Sequence, residues 1–424
     1  MNIPIDWNIV APAVIVLAGA LIGLLVDAFY PRRTWNGPAI PACVALVGAG
    51  AAALHYRDDL GRFSFALVAI VIVGTLFVVV ASIVMNFEAA MPPGEYHFLV
   101  LSAAAGALMM VVARDLVTLV ISLELVSLPS IALVGLRQGD HRAIRSAWTF
   151  FLASVVSTAI TLMGISLLYG VTGSMDYAEI RDALAQPDVP QSVVAVAVLL
   201  TLIGLLFKLG AVPFHVWIPD AYTGASVMVA GFLSTVSKAA SLGALLILVA
   251  VAFPFAFDTW QPLFAVVAAA TMTIGNLGAL RQADAIGMLA WSSVAQAGFL
   301  LAPATALLTI EGLTAPVQYL AVYAVANLVA FAALSVMLPA ARQHPVRRAE
   351  GHGPQRPVDG HPAGLRGADL GRIPTRRDRS GHQVRRDPSG HRLGLHVARR
   401  RHGRQHHAGT RLLREVPHRP VRPA

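Results

Sequence analysis

Lysine occurs twice in 424 residues, at Lys208 and Lys238, and both sit inside long apolar runs. Every other basic side chain is Arg or His. That segregation has a chemical meaning. Burial lets an ammonium give up its proton, whereas a guanidinium stays charged, so lysine is the cation suited to proton relay. A third titratable group, Glu124, lies about a third of the way into another apolar run, in Leu123-Glu124-Leu125-Val126-Ser127-Leu128-Pro129. An acidic or basic side chain at such depth costs roughly 2.5–3.5 kcal/mol unless it is paired or protonated. Placed near a lysine, Glu124 would stabilise its charge, and each would respond to the other's protonation. A static ion pair locking two helices is the alternative for one such residue. Three on three runs favour a proton pathway.

The segment after Lys208 sharpens the expectation. It reads Leu209-Gly210-Ala211-Val212-Pro213-Phe214-His215-Val216-Trp217-Ile218-Pro219-Asp220. Pro213, Pro219 and Gly210 predict an interrupted helix, because each proline removes a backbone donor. Exposed backbone inside a membrane is tolerated only where it is buried in protein or lines a cavity, as in the broken helices of transporters. His215 is placed either to relay protons beside Lys208 or to bond backbone. Around Lys238 the hydroxyls of Ser234, Thr235, Ser237 and Ser241 can bond the ammonium or serve as small packing residues. Arg114-Asp115 reads as a turn marker, and Asp220 as a cap for the next helix. The single cysteine, Cys43, excludes a disulfide framework, and no metal-ligand spacing, phosphate loop, nucleophile triad or dinucleotide fingerprint is present.

The elements that must hold these residues are membrane helices. The chain is 56% hydrophobic and only 13% charged, with a mean hydropathy of +0.66, against about 25% charged residues in ordinary soluble domains. A crossing helix needs about 20 apolar residues. Eleven runs qualify, near residues 8–29, 38–55, 65–86, 97–113, 115–136, 146–171, 192–212, 224–253, 261–280, 285–303 and 316–340. The first begins too close to Asp6-Trp7 and runs too long to be a cleaved signal. Loops leaving odd-numbered runs hold Arg32, Arg33, Arg137, Arg142, Arg145 and Arg281, while those leaving even-numbered runs mix Arg57, Arg62, Arg114 and Arg181 with acids. That bias predicts an N-terminus outside and the first loop in the cytoplasm.

The net charge of +9 suggests a nucleic-acid partner until it is divided by region. Residues 1–340 carry 12 Arg and Lys against 17 Asp and Glu, and residues 341–424 carry 20 against 6. The final 84 residues hold ten of the 14 histidines and no Phe, Trp or Tyr, so they cannot build a core. A basic tail touching lipid or nucleic acid and a histidine metal site are weaker readings than a shifted reading frame, since G+C-rich DNA read out of frame yields this alphabet. Codons for His382-Gln383-Val384, read one base later, can encode Thr or Ile followed by Lys or Arg. A one-base insertion or deletion around codons 338 to 345 would account for the change.

Four stretches, Leu123–Pro129, Leu206–Tyr222, Leu233–Ala240 and Asn276–Phe299, resemble the antiporter-like membrane subunits of proton-pumping NADH:quinone oxidoreductase. The resemblance covers about residues 8–340, and the wording PFH-x-W-x-PD-x-Y is specific to one branch of the group. It implies an all-α polytopic fold of fourteen transmembrane helices, of which this chain would supply about eleven, with inverted five-helix repeats and a broken seventh helix. The parts would be helices 1–3 in residues 1–96, a first repeat in 97–253, an incomplete second repeat in 254–340 and the tail in 341–424. Glu124, Lys208 and Lys238 would form half of a proton channel, with Pro213, His215 and Ser237 as accessory residues of the break and the relay. The implied role is a non-redox subunit of a translocase in the bacterial inner membrane, moving protons as quinone is reduced elsewhere. Its partners would be other membrane-arm subunits and the lipid bilayer, without nucleic acid. The chain itself would bind no cofactor, with NADH, FMN, iron–sulfur clusters and quinone on partner subunits.

Three departures qualify that expectation. Ser226-Val227-Met228 stands where the family usually starts its eighth helix with a Pro-x-Pro-like sequence, and Gln296 where a histidine is common. The family's twelfth, broken helix with its lysine, and the last two helices, are replaced by residues 341–424, so normal pumping is not expected of this polypeptide. A stand-alone cation/proton antiporter and a non-functional truncated product are the other readings.

Overall fold

The computed structural model describes residues 6–29, 36–84, 91–306 and 310–343. The readings made of residues 344–424 lie outside them. The described part is helical throughout: α1 (Trp7–Phe29), α2 (Asn36–His55), α3 (Arg57–Val84), α4 (Pro93–Met110), α5 (Leu116–Gly135), α6 (His141–Thr172), α7 (Tyr177–Leu184), α8 (Gln191–Leu209), α9 (Trp217–Gly224), α10 (Val227–Phe232), α11 (Lys238–Val251), α12 (Phe257–Leu280), α13 (Ala285–Leu301) and α14 (Ile310–Gln343). Among the described residues, ten helical stretches are long and apolar enough to cross a bilayer. The eleventh expected run is α4, whose first turn spends its length on Pro93, Gly94, Glu95 and His97.

Helix boundaries follow local chemistry. Asp115 Oδ1 accepts from the Thr118 amide at 2.7 Å and caps α5, and Asp140 caps α6 by accepting from the amides of Arg142 and Ala143. Arg114-Asp115 is therefore a built cap rather than a bare turn. Asp115 also pairs with Asp176 in an isolated antiparallel bridge, where Asp176 caps α7. This short helix was absent from the apolar pattern because its eight residues, YAEIRDAL, bury only Tyr177, Ile180 and Leu184.

Small residues let α6 and α8 approach. A Cβ on Gly164 would stand 2.4 Å from the Thr201 amide nitrogen, and one on Gly204 would stand 2.6 Å from Thr161 Oγ1. The Gly204 amide donates to Thr161 Oγ1 at 2.8 Å. Backbone contact of this kind replaces the hydrophobic drive that lipid removes.

The run 224–253 is not one helix. Between α10 and α11 the turn widens into a π segment, Leu233–Ser237, and residues Val227 to Val249 are all buried. Ser226 caps α10 by accepting from the Val229 amide at 3.4 Å, so the missing Pro-x-Pro-like start leaves the helix properly begun. Asp220 lies inside the first turn of α9 and does not cap it, because the break resumes its helix at Trp217, four residues before the start that a cap at 220 implies.

Candidate proton-relay site

The interruption after Lys208 is real, and its freed backbone groups are satisfied from neighbouring helices. Gly210 ends α8 in the left-handed region at φ +84°, with its amide bonded to Leu206 and Phe207 carbonyls. A Cβ there would lie 2.0 Å from Ile218 Cδ1, so only glycine fits. Residues 212–216 then form turns, with a cis bond between Val212 and Pro213. Trp217 Nε1 donates to the Phe207 carbonyl at 2.9 Å, and the Val212 amide donates to Thr271 Oγ1 of α12 at 2.9 Å. Buried backbone polar groups need such partners.

Lys208 sits at the end of α8 with 1% of its surface exposed. Its Nζ donates to Ser127 Oγ of α5 at 3.1 Å and lies 5.3 Å from the centre of the Phe150 ring. Phe150 in turn stacks on Trp217 at 4.2 Å. The break thus brings its own tryptophan under the ring that faces the ammonium. Ser127 passes its hydrogen to the Leu123 carbonyl at 2.7 Å.

Glu124 is half-buried on the same helix, three residues before Ser127. It acts electrostatically on Lys208, yet no direct ion pair joins them among the described residues. Its carboxylate instead accepts from Thr158 Oγ1 of α6 at 2.6 Å. Thr158 is the residue the sequence reading missed, since a threonine in an apolar helix carries no signal until α5 and α6 are packed together.

Lys238 begins α11 immediately after the π segment and is also 1% exposed. Its ammonium donates to the Ser293 carbonyl of α13. The nearby hydroxyls do something else. Ser234 and Thr235 both donate to the Gly231 carbonyl at 2.8 Å, and Ser241 donates to the Lys238 carbonyl at 3.1 Å. They shape the widened turn rather than solvating the cation. Ser237 Oγ is buried without a hydrogen-bond partner.

The remaining accessory residues sit apart from the two ammonium groups. Pro213 is exposed at the break, and the half-buried His215 packs its ring 5.4 Å from that of Trp291 on α13. Among the described residues His215 makes no hydrogen bond with Lys208. Gln296 accepts from Tyr319 Oη of α14 at 2.5 Å. No group of three His, Cys, Asp or Glu side chains able to hold a metal is found among the described residues.

Known proteins resemble this chain in sequence and fold. The family described as NADH:quinone oxidoreductase/Mrp antiporter, TM, matches residues 113–353, and the chain belongs to that family. Its similarity within the family is to chains named NADH-quinone oxidoreductase subunit N. The relative from Streptomyces griseus is 42% identical over 371 residues, covering 81% of this chain and 68% of that protein. The relative from Salinispora tropica is 44% identical over 264 residues, covering 59% and 50%. The chain therefore spans half to about two thirds of these relatives' lengths. Among solved structures, a chain of respiratory complex I from Thermus thermophilus with bound aureothin is 31% identical, with a TM-score of 0.63 over 76% of this chain and 70% of its own. A chain of the Mrp complex from Dietzia sp. DQ12-45-1b is 26% identical, with a TM-score of 0.67 over 78% and 64%.

Proposed function

We propose that the chain is a membrane-arm subunit of a NADH:quinone oxidoreductase that moves protons through Glu124, Lys208 and Lys238. Quinone reduction elsewhere in the complex drives the step. The observation that carries this reading is that both fully buried lysines bond only neutral oxygens, the Ser127 hydroxyl and the Ser293 carbonyl. A structural ion pair would hold a carboxylate against each ammonium, because an uncompensated buried charge is costly. Bonded this way, each amine can change protonation without breaking a salt bridge.

Glu124 has a different task. Held by Thr158 and acting on Lys208 from a distance, it favours the charged lysine when ionised and releases it when protonated or withdrawn. Lys208 then passes its proton toward Lys238. The proposal concerns the half-channel in α4–α11, the first antiporter-like repeat, with α12–α14 beginning a second. NADH, FMN, iron–sulfur clusters and quinone belong to partner subunits. The assembly sits in the bacterial inner membrane with the N-terminus outside, as the arginine distribution favours.

The test is NADH-driven proton uptake by membrane vesicles carrying the assembled complex. Glu124→Gln is expected to abolish the share of uptake that this half-channel supports, measured against the complex with the parent chain, while NADH oxidation and assembly persist, and unchanged uptake would defeat the assignment. The likeness to the Mrp chain supports a second reading, a cation/proton antiporter using the same residues. Co-purification with redox subunits favours the first, and purification without them, with sodium-driven proton flux, favours the second.

A further inference from the structure

We infer that Tyr222, Ser293 and Tyr323 form a hydroxyl wire serving Lys238, which α14 continues to an exposed rung made by Tyr319 and Gln296. The inference rests on the relay reading above and extends it to residues outside the lysine and glutamate set.

Ser293 has two roles at once. Its carbonyl accepts from Lys238 and only positions the ammonium, since a carbonyl has no proton to hand on. Its hydroxyl accepts from Tyr323 Oη at 3.2 Å and shares a hydrogen with Tyr222 Oη at 3.3 Å, where either oxygen can donate. Since Tyr323 donates to Ser293, the serine's own hydrogen is available for Tyr222. Every member is both donor and acceptor, so the order can reverse along the row. Tyr222 comes from α9, beyond the break that holds Lys208. Tyr323 comes from α14. The wire therefore joins the broken helix to the last described span across α13.

On α14 the pattern repeats at one-turn intervals. Tyr319 donates to Gln296 at 2.5 Å, Tyr323 to Ser293, and Asn327 to Ser234 of the π segment. Positions 319, 323 and 327 lie on one helix face, opposite residues 296 and 293 of α13 and a serine four residues before Lys238. Adjacent rungs stand about 5–6 Å apart, a gap that one water bridges. The row begins at a cation 1% exposed and ends at Tyr319, 39% exposed. Other titratable groups on elements packed against α11 are Arg57, Asp58, Asp59 and Arg62 at the start of α3, Glu95, Tyr96 and His97 at the start of α4, Tyr177, Glu179, Arg181 and Asp182 along α7, and Lys208 at the end of α8.

The chain's two lysines make the test direct. The full chain, labelled with 15Nζ,13Cε-lysine and placed in lipid nanodiscs, gives two lysine signals, assigned by Lys208→Met and Lys238→Met. Titration and ammonium hydrogen exchange are then followed for each. Ser293→Ala and Tyr323→Phe are expected to slow Lys238 exchange roughly a hundredfold, the low end for losing a positioned proton-transfer group, and to leave Lys208 unmoved. Ser293→Thr, which keeps a hydroxyl, restores exchange, which a purely structural role would not predict. A Lys238 signal that titrates normally with unaltered exchange in both hydroxyl-deleted variants overturns the wire alone. A Lys238 signal that never titrates between about pH 5 and 10, around the ordinary lysine value, overturns both the wire and the relay.

Discussion

An ammonium carries three donors and no acceptor, so one buried against a single serine is poorly served in its charged form. Lys208 has Ser127 and the face of Phe150, and little else. Ser127→Ala removes its hydrogen bond and is expected to cost about 1.5–3 kcal/mol, the range for bonds to charged groups. Thermal unfolding in detergent at pH 7 measures that loss. Lys208→Arg is expected to assemble yet fail to support NADH-driven proton uptake, because guanidinium does not release its proton. Uptake at the parent rate in that variant would show that deprotonation at this site is not part of the cycle. The three charged residues were legible in the sequence because a titratable group in an apolar run stands out one residue at a time. Thr158 and Ser293 were not, since hydroxyls and carbonyls acquire meaning only from what packs against them. The serines beside Lys238 misled for the same reason: proximity in sequence put them near the cation, but their hydrogens go to the backbone of their own turn.

Elements set the geometry that those residues exploit. Proline and glycine announced the break after Lys208, and the structure adds the braces that make it tolerable, from Trp217 and Thr271. The π segment had no such announcement. Its sequence, LSTVS, is an ordinary apolar-to-small mixture, and one extra residue per turn leaves no mark in hydropathy. Deleting Val236 removes the extra residue and would return Leu233–Ser237 to α geometry, and because five π residues turn the chain about as far as four α residues, Lys238 is expected to keep its direction relative to α10. The Lys238–Ser293 bond should then survive, seen as proton uptake retained in a complex of normal size, and loss of uptake would show that the widened turn itself is needed. Gly164→Leu tests the neighbouring contact. With its Cβ placed 2.4 Å from the Thr201 nitrogen, it is expected to separate α6 from α8 and lower stability by about 1–3 kcal/mol, read from the unfolding midpoint.

At the scale of the molecule, most of the architecture followed from the hydropathy of eleven runs, ten of which form helices of crossing length and composition. Orientation of each helix did not follow, because lipid-facing and bundle-facing positions are both apolar. Exposed Leu152, Val155 and Val156 on α6 and enclosed Leu242, Leu245 and Leu246 on α11 are chemically the same kind of residue. Outside the spans, a polar clasp ties distant parts together. Arg137 pairs with Asp140 at 3.0 Å and also donates to the Ala225 carbonyl at 3.2 Å, where α9 gives way to α10. The hydrogen bond from Arg137, aided by the α6 amides, holds the Asp140 carboxyl below its ordinary range. A depressed folded value means that its stabilisation is complete above the unfolded value near 3.9. It disappears as pH falls through the lower folded value. Asp140→Asn is therefore expected to flatten the loss of stability below about pH 4, measured as unfolding temperature against pH, and an unchanged acid slope would assign that loss to other carboxylates.

The bond between Lys238 and Ser293 also has an order in time. During synthesis Lys208 meets a partner that already exists, because Ser127 emerges 81 residues ahead of it. Lys238 emerges 55 residues before the carbonyl that will hold it, and it enters the bilayer in the most buried of the candidate spans among the described residues. Until α13 arrives, that cation has no oxygen from its final neighbour to lean on, so biogenesis carries a waiting step at this helix. A ribosome stalled after α12 would present quality-control proteases with a polar defect that the finished protein conceals.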